Sequence, residues 1–161
     1  MTIIGIDPGS IRAGYGIISF DKRTPSFIDG GILHISTTKR PDVFVDLYTS
    51  LTALIQAYKP TCAGIETLYV SKNKKTAIEV SQAQGIFLLA FAQHNIPVHT
   101  FTPNQIKQSL TGYGSSQKKD VQHAVETILK LKDFSDVDDA FDALAVAVTT
   151  GFFTTSKLSH Y

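Results

Sequence analysis

Five acidic residues of this sequence stand where a carboxylate is costly without a partner. Asp7 and Glu66 each end a short apolar segment that has the character of a buried strand. Asp138, Asp139 and Asp142 lie near the start of a stretch that is apolar on nearly every side when drawn as a helix. A helix that is apolar all round is buried, so its carboxylates must be paired, hydrogen-bonded or bound to cations. The residue types therefore indicate an acidic, cation-binding site.

The spacing within the last group leaves one choice open. Asp139 and Asp142 are three residues apart, which places them on one helix face with Cβ atoms roughly 5–6 Å apart. Asp138 is four residues from Asp142 and fits that face equally well. The run Ser135-Asp136-Val137-Asp138 resembles a capping box, which offers Asp138 a structural role. Acids are also favoured by the helix dipole, but that effect fades within the first turn, before Asp142.

The segments that must position these acids predict an α/β fold with a five-stranded mixed sheet. The predicted strands are Thr2–Asp7, Gly14–Asp21, Phe27–Ser36, Thr61–Glu66 and Pro97–Phe101. The predicted helices are Pro41–Tyr58, Thr76–Asn95, Pro103–Leu110 with Thr102 as its cap, Lys118–Lys130 and Asp136–Phe153. We expect an antiparallel meander of the first three strands, with the later strands parallel to the first.

The length of 161 residues predicts one domain over residues 1–153, followed by a short disordered tail over 154–161. The longest apolar run is far short of the roughly 18 residues of a membrane span, and no export signal is recognisable. A single cysteine, Cys62, excludes an intrachain disulfide and Cys-based zinc sites, and we expect it in the core. The use of only one cysteine favours a reducing, cytosolic setting. The five histidines have no ligand spacing.

In a mostly parallel sheet, the carboxyl ends of neighbouring strands meet at one edge, so Asp7 and Glu66 are expected there together. Four carboxylates at that edge, counting two from the helix, repel one another, and two divalent cations balance their charge. Oxygen ligands of this kind suit Mg²⁺ or Mn²⁺. A pair of such ions about 3.5–4 Å apart clamps the attacking and leaving oxygens of a phosphodiester. This pattern predicts metal-dependent phosphodiester hydrolysis.

An alternative for the N-terminus is a phosphate-binding turn. The run Gly5-Ile6-Asp7-Pro8-Gly9-Ser10, followed by Gly14-Tyr15-Gly16, resembles the first phosphate motif of the actin-like and sugar-kinase ATPases. Those proteins need two lobes of this size, and 161 residues supply only one.

The net charge of +1 hides a segregation of charge along the chain. Between Thr67 and Lys119 there are six lysines and one acid, Glu79, whereas Asp133 to Asp142 contains five acids and no base. A basic surface beside an acidic metal site suits a nuclease, because lysines hold the phosphate backbone while metals act on it. Tyr69 lies between Glu66 and this basic segment, where an aromatic ring can stack on an unpaired base. Taken singly, such lysines are usually solvated and such a tyrosine is more often core.

These pieces together resemble the RuvC family of Holliday-junction resolvases, which belongs to the RNase H-like, retroviral integrase-like nucleases. The resemblance extends from about Ile3 to Phe152 and is specific as an ordered set. It rests on Gly5-Ile6-Asp7-Pro8-Gly9-Ser10, Tyr15-Gly16, Ile65-Glu66, Lys72-Asn73, Gln82-Ala83-Gln84-Gly85, Lys107-Gln108, Gly112-Tyr113-Gly114-Ser115, Lys118, Val121-Gln122-His123 and Asp139-Ala140-Phe141-Asp142-Ala143-Leu144-Ala145.

The resemblance implies an RNase H-like fold and names the site residues. The implied catalytic and metal-binding acids are Asp7, Glu66, Asp139 and Asp142, with Asp138 left to a capping or outer role. Tyr69 matches the family's base-stacking aromatic, although phenylalanine is usual there. The expected DNA-binding lysines are Lys72, Lys74, Lys75, Lys107, Lys118 and Lys119, of which Lys107 and Lys118 match family lysines that support activity.

The resemblance also implies cofactors, products and partners. We expect two Mg²⁺ ions per subunit, with Mn²⁺ as a substitute, and products with 5′-phosphate and 3′-hydroxyl ends. The implied substrate is four-way junction DNA. The implied active form is a homodimer that nicks opposing strands symmetrically, beside the branch-migration proteins RuvA and RuvB in the bacterial cytoplasm. Two other classes stay open on sequence alone. One is an RNase H-like nuclease acting on an RNA–DNA hybrid, and the other is a junction-binding protein that does not cut.

Overall fold

The described residues of the computed structural model, 1–67, 74–131 and 138–158, form a five-stranded mixed sheet with helices on both faces. The strands are β1 (Thr2–Asp7), β2 (Gly14–Asp21), β3 (Thr24–Ile32), β4 (Cys62–Glu66) and β5 (Val98–Phe101). The helices are α1 (Asp42–Tyr58), α2 (Lys74–Gln93), α3 (Pro103–Thr111), α4 (Lys118–Leu129) and α5 (Asp138–Leu158).

The sheet order is β3-β2-β1-β4-β5. Strands β1, β2 and β3 pair antiparallel, while β4 pairs parallel to both β1 and β5. This arrangement confirms the predicted fold class. Because β1 and β4 run in the same direction in neighbouring positions, their carboxyl ends lie side by side.

The side chains of β1 pack into two different hydrophobic clusters. Ile3 packs into the cluster that contains α3, α4 and α5, whereas Ile4 and Ile6 pack into the cluster beneath α1 and α2. All three side chains are fully buried, which stabilises the fold by about 1.5–3 kcal/mol each. Cys62 is buried in the first cluster, as predicted.

Helix α5 lies directly on the middle of the sheet because the strand residues beneath it are glycines. A Cβ atom on Gly5 would come within 2.2 Å of the Ala143 carbonyl oxygen, and one on Gly16 within 2.7 Å of the Leu144 nitrogen. On β4, a Cβ on Gly64 would fall within 2.0 Å of a side-chain oxygen of α5. Any larger residue at these positions would lift α5 and the acids that it carries.

The third strand, Thr24–Ile32, begins and ends earlier than the predicted Phe27–Ser36. It starts at Thr24, because Lys22 and Arg23 both adopt positive φ angles, of 44° and 70°, and reverse the chain in two residues. Pro25 is tolerated within it because β3 is an edge strand.

Two helices differ from the prediction in their bounds. Helix α2 spans Lys74–Gln93 instead of Thr76–Asn95, so Lys74 and Lys75 belong to the helix and not to a basic loop before it. Residues 154–158 continue α5 instead of forming a disordered tail, and the hydroxyls of Thr154 and Thr155 donate to carbonyls one turn earlier. The predicted start of the last helix at Asp136 and the last three residues of the tail lie outside the described residues. In the described part of the chain, no helix has the length and apolar character to cross a membrane.

Candidate active site

Asp7 and Glu66 lie beside each other at the carboxyl edge of the sheet. The preceding residues, Ile6 and Ile65, are register partners in the parallel β1–β4 pair. Each acid therefore follows a fully buried isoleucine, at the point where its strand leaves the core. The predicted convergence of these two carboxylates is present in the structure.

Both carboxyl groups hold their protons unusually strongly. Burial, followed by the negative charges of Glu66, Asp142 and Asp139, raises the pKa of Asp7 from 3.8 to about 7, against a lowering by Lys118. Burial and the charge of Asp142 raise the pKa of Glu66 from 4.5 to about 7, against Lys118 and Lys107. Neighbouring acids of the same charge thus disfavour full ionisation, and a bound cation would relieve that repulsion.

Helix α5 brings Asp139 and Asp142 to the same place, and each meets a cationic side chain. Arg12, in the loop between β1 and β2, approaches Asp139 with Nε 2.5 Å from Oδ2. Lys118, at the start of α4, donates from Nζ to Asp142 Oδ2 at 2.9 Å. Partial burial acts to lower the pKa of Lys118, but the hydrogen bonds and charges of Asp142 and, to a smaller extent, Asp138 together outweigh it and raise the pKa.

The alternatives that spacing left open at the start of α5 differ in their surroundings. The charges of Asp139 and Asp142 both act on Asp7, whereas Asp138 has a side chain that is 75% exposed and contacts Lys118 at 3.4 Å. Asp138 therefore lies at the outside of the cluster. Its predicted cap, Ser135, is outside the described residues.

A cleft of about 160 Å³ opens beside the acids, and two of the predicted DNA-binding lysines line it. Glu66 and Asp142 line it together with Lys107 and Lys118. Thr102 caps α3, which carries Lys107: its hydroxyl accepts from the Gln105 backbone, and the Gln105 side chain accepts from the Thr102 N–H. This confirms the predicted cap. A larger cavity of about 450 Å³, between β5, α3 and α5, contains none of the four carboxylates.

The acids are near one another but are not gathered around a single point. Within residues 1–67, 74–131 and 138–158, no three His, Cys, Asp or Glu side chains are placed to hold one ion. Asp139 and Asp142 instead contact two different cations, Arg12 and Lys118. The donor set still fits a hard divalent cation, since it consists of carboxylate oxygens and two of the four acids lack a direct ion pair in the described chain.

The other predicted site residues are only partly placed. Lys119 is exposed on α4, next to Lys118. Lys74 and Lys75 begin α2, but their side chains lie outside the described residues, as do Tyr69 and Lys72 entirely. The sequence interpretation missed Arg12. Its signal was its position in a glycine-containing turn directly after a strand-end acid.

The chain is similar to a set of named nucleases. The family model described as Crossover junction endodeoxyribonuclease RuvC matches residues 3–150. A protein with that name from Fusobacterium nucleatum is 42% identical, over 99% of this chain and 84% of its own length. Another from Petrotoga mobilis is 41% identical, over 97% of this chain and 96% of its own.

Solved structures give the same result for the fold. The RuvC structure from Thermus thermophilus superimposes with a TM-score of 0.89 at 25% identity, covering 98% of this chain and 97% of that one. The T. thermophilus RuvC in complex with a Holliday junction substrate gives a TM-score of 0.90 at 26% identity, with 98% and 96% coverage.

Proposed function

Because this chain belongs to the RuvC family of crossover junction endodeoxyribonucleases, we propose that it is a nuclease that resolves four-way DNA junctions. It would do so by hydrolysing one phosphodiester bond in each of two opposing strands. The observation that carries this proposal is the meeting of Asp7, Glu66, Asp139 and Asp142 at one edge of the sheet, beside a cleft with two lysines.

In the proposed site these four acids are the catalytic residues and would hold two Mg²⁺ ions per subunit, with Mn²⁺ as a substitute. When bound, the ions would polarise the attacking water and stabilise the leaving 3′-oxygen. The choice of oxygen ligands supports a hard cation, and the raised pKa values of Asp7 and Glu66 support a need for positive charge between them.

The chain's own contribution is to hold that charge in place and to receive the DNA strand. β1 and β4 present Asp7 and Glu66 from a rigid sheet edge, and α5 presents Asp139 and Asp142 from above it. Lys107 and Lys118 attract the phosphate backbone into the cleft. We assign further backbone contacts to Lys72, Lys74, Lys75 and Lys119, and base stacking at the junction centre to Tyr69.

A homodimer would place two such sites on one junction. Exposed apolar side chains on α2 support this: Ile78 is 61% exposed and Leu89 is 50% exposed, and Leu88 is also exposed. Ala83 and Ala90, which could equally have faced a partner, pack into the core beneath α2. We also propose action beside RuvA and RuvB in the bacterial cytoplasm, where the chromosomal DNA lies.

The deciding experiment compares cleavage of three labelled substrates: a synthetic four-way junction, a linear duplex of the same sequence and an RNA–DNA hybrid. Each is incubated with and without Mg²⁺. Paired nicks in opposing strands of the junction, dependent on Mg²⁺, are expected. Preferential cutting of the hybrid would instead indicate another RNase H-like nuclease, and binding without cutting would indicate a junction-binding protein.

A matched pair of variants tests the site within the same assay. Asp7→Asn removes one negative charge from the acidic cluster, so cleavage should be lost while junction binding survives. Asp21→Asn makes the same chemical change at an exposed position at the end of β2, at the opposite end of the β1–β2 ladder. It should cut like the wild type. Cleavage by Asp7→Asn at near the wild-type rate would show that the assignment of these acids to a catalytic metal site is wrong.

A further inference from the structure

Arg12 is a cation at the edge of the acidic cluster that the family resemblance did not single out. Its guanidinium meets Asp139 through Nε, yet the side chain is 60% exposed. In the described chain Arg12 makes no other ion pair. The Nε of the guanidinium therefore contacts Asp139, while the exposed part of the Arg12 side chain remains available to bind a further group.

The backbone around Arg12 is closely packed, which fixes where the side chain starts. A Cβ on Gly9 would come within 1.7 Å of the Arg12 carbonyl oxygen, so the turn folds tightly on itself. The next residue, Ala13, is fully buried, and its carbonyl accepts from the Leu33 N–H at 2.9 Å. Gly14 then packs against the Asp139 backbone. Arg12 is thus tied to the start of α5 by its neighbours as well as by its charge.

Arg12 also lies on the other side of the strand-end acids from Lys107. In the sheet order, the β1–β2 loop is on the β2 side of Asp7, whereas α3, with Lys107, follows β5 at the other side of Glu66. A DNA strand that crossed the acids from the Lys107 side would therefore reach the β1–β2 loop, which carries Arg12. An acidic cluster repels the phosphates beside it, and a cation that neutralises them offsets this repulsion.

Building on the proposed function, we propose that Arg12 is a phosphate-binding residue, which holds the DNA backbone on the β2 side of the acidic cluster. A guanidinium has donors on two edges, so Nε can stay on Asp139 while the terminal nitrogens donate to a phosphate. A lysine ammonium has no such fork. Arg12 therefore links the position of Asp139 to the position of the strand.

The test measures binding of a labelled four-way junction by fluorescence anisotropy, in EDTA and at several salt concentrations. We expect Arg12→Gln to raise the Kd about 3–10-fold and to lower the slope of log K against log salt by about one unit per site. Arg12→Lys should lie between it and the wild type. Arg23→Gln, at the exposed β2–β3 turn at the opposite end of the β1–β2 ladder, is the matched control and should match the wild type.

The outcomes separate this inference from the proposed function. Wild-type protein that fails to bind the junction overturns the proposed function. If the wild type binds and Arg12→Gln binds with equal affinity and equal salt slope, the phosphate contact does not exist. Calorimetric titration with Mg²⁺ alone then identifies the remaining role: tighter metal binding by Arg12→Gln would mean that Arg12 only neutralises Asp139. Thermal melting of each variant confirms that it is folded.

Discussion

Gly14, the first residue of β2, lies against the backbone of Asp139 at the start of α5. A Cβ atom at position 14 would come within 2.0 Å of the carbonyl oxygen of Asp139 and within 3.1 Å of the Asp139 Cβ. Both neighbours belong to an element that cannot give way easily, because α5 is packed on the sheet over its length. The absence of a side chain at Gly14 thus determines how far Asp139 descends toward Asp7.

Gly14→Ala should therefore damage the site without touching a charged group. The added methyl must push the α5 N-terminus outward, at a cost of about 1–3 kcal/mol in the free energy of unfolding. We expect a lower midpoint in urea denaturation and a loss of cleavage comparable to that of Asp139→Asn. Gly114→Ala is the control, since a Cβ there meets its nearest neighbour at an ordinary 3.4 Å. Equal stability of the two variants would contradict the close packing.

In the metal-free protein, stability should fall as pH rises from about 4 to about 7. The unfolded chain releases the protons of Asp7 and Glu66 near 3.8 and 4.5, whereas the folded protein keeps them up to a pKa of about 7. Across that window the folded state binds more protons, so each rise in pH favours unfolding. Above pH 7 both states are ionised and the loss levels off.

The Asp7→Asn variant should lack the part of this fall in stability that the ionisation of Asp7 causes. Urea denaturation in EDTA should find the variant more stable than the wild type at pH 8, by about 1–4 kcal/mol, and with a shallower pH slope. Added Mg²⁺ should stabilise the wild type at pH 8 and have much less effect on Asp7→Asn. Identical pH slopes for the two proteins would show that burial and the neighbouring acids do not hold Asp7 protonated. Asp21→Asn again serves as the matched control.

Lys118→Ala should move the pH dependence of cleavage toward higher pH. Lys118 lowers the pKa values of both Asp7 and Glu66, so its removal raises them further. Because cations bind the ionised carboxylates, half-maximal cleavage should require a higher pH, by up to about one unit. The measurement is single-turnover cleavage of the junction between pH 5 and pH 9.

Lys119→Ala provides the comparison for this shift. Lys119 is the next residue along α4 and is exposed, and its charge is not among the causes of either raised pKa. The variant should weaken DNA binding and leave the pH profile in place. A shift of equal size in both variants would mean that general surface charge, and not the contact of Lys118 with the acids, sets the profile.

Leu89→Glu should disrupt the proposed dimer. Leu89 is an exposed apolar side chain on α2, and a charge at a buried interface between copies would be costly. Light scattering after size-exclusion chromatography should give the mass of a monomer for this variant and of a dimer for the wild type. Ile28→Glu, at an exposed position on the edge strand β3, should leave the mass unchanged. A dimeric Leu89→Glu would place the interface elsewhere.

Much of this fold could be read from local patterns. The bounds of β1 and β2 match the predicted ones, because alternating or continuous apolar residues and turn signals act over a few neighbours. The α3 cap was also predictable, since Thr102 and Gln105 are three residues apart. The parallel pairing of β1 and β4 then brings Asp7 and Glu66 together, as strand-end acids in such a sheet must be. One place where the prediction failed is the start of β3, because the two non-glycine residues before it adopt positive φ, which propensity does not favour.

Sequence by itself determined which residue types could form the site, but not which of them face it. Asp138 and Asp139 are equivalent by helical spacing, and Arg12 carries no motif. Their positions were decided by how closely α5 approaches the sheet and by its rotation there. Those two quantities depend on glycines that lie far from α5 in sequence, above all Gly5 and Gly14. Periodicity is a property of neighbours along the chain, whereas the contact between Arg12 and Asp139 exists only once β1, β2 and α5 are packed together.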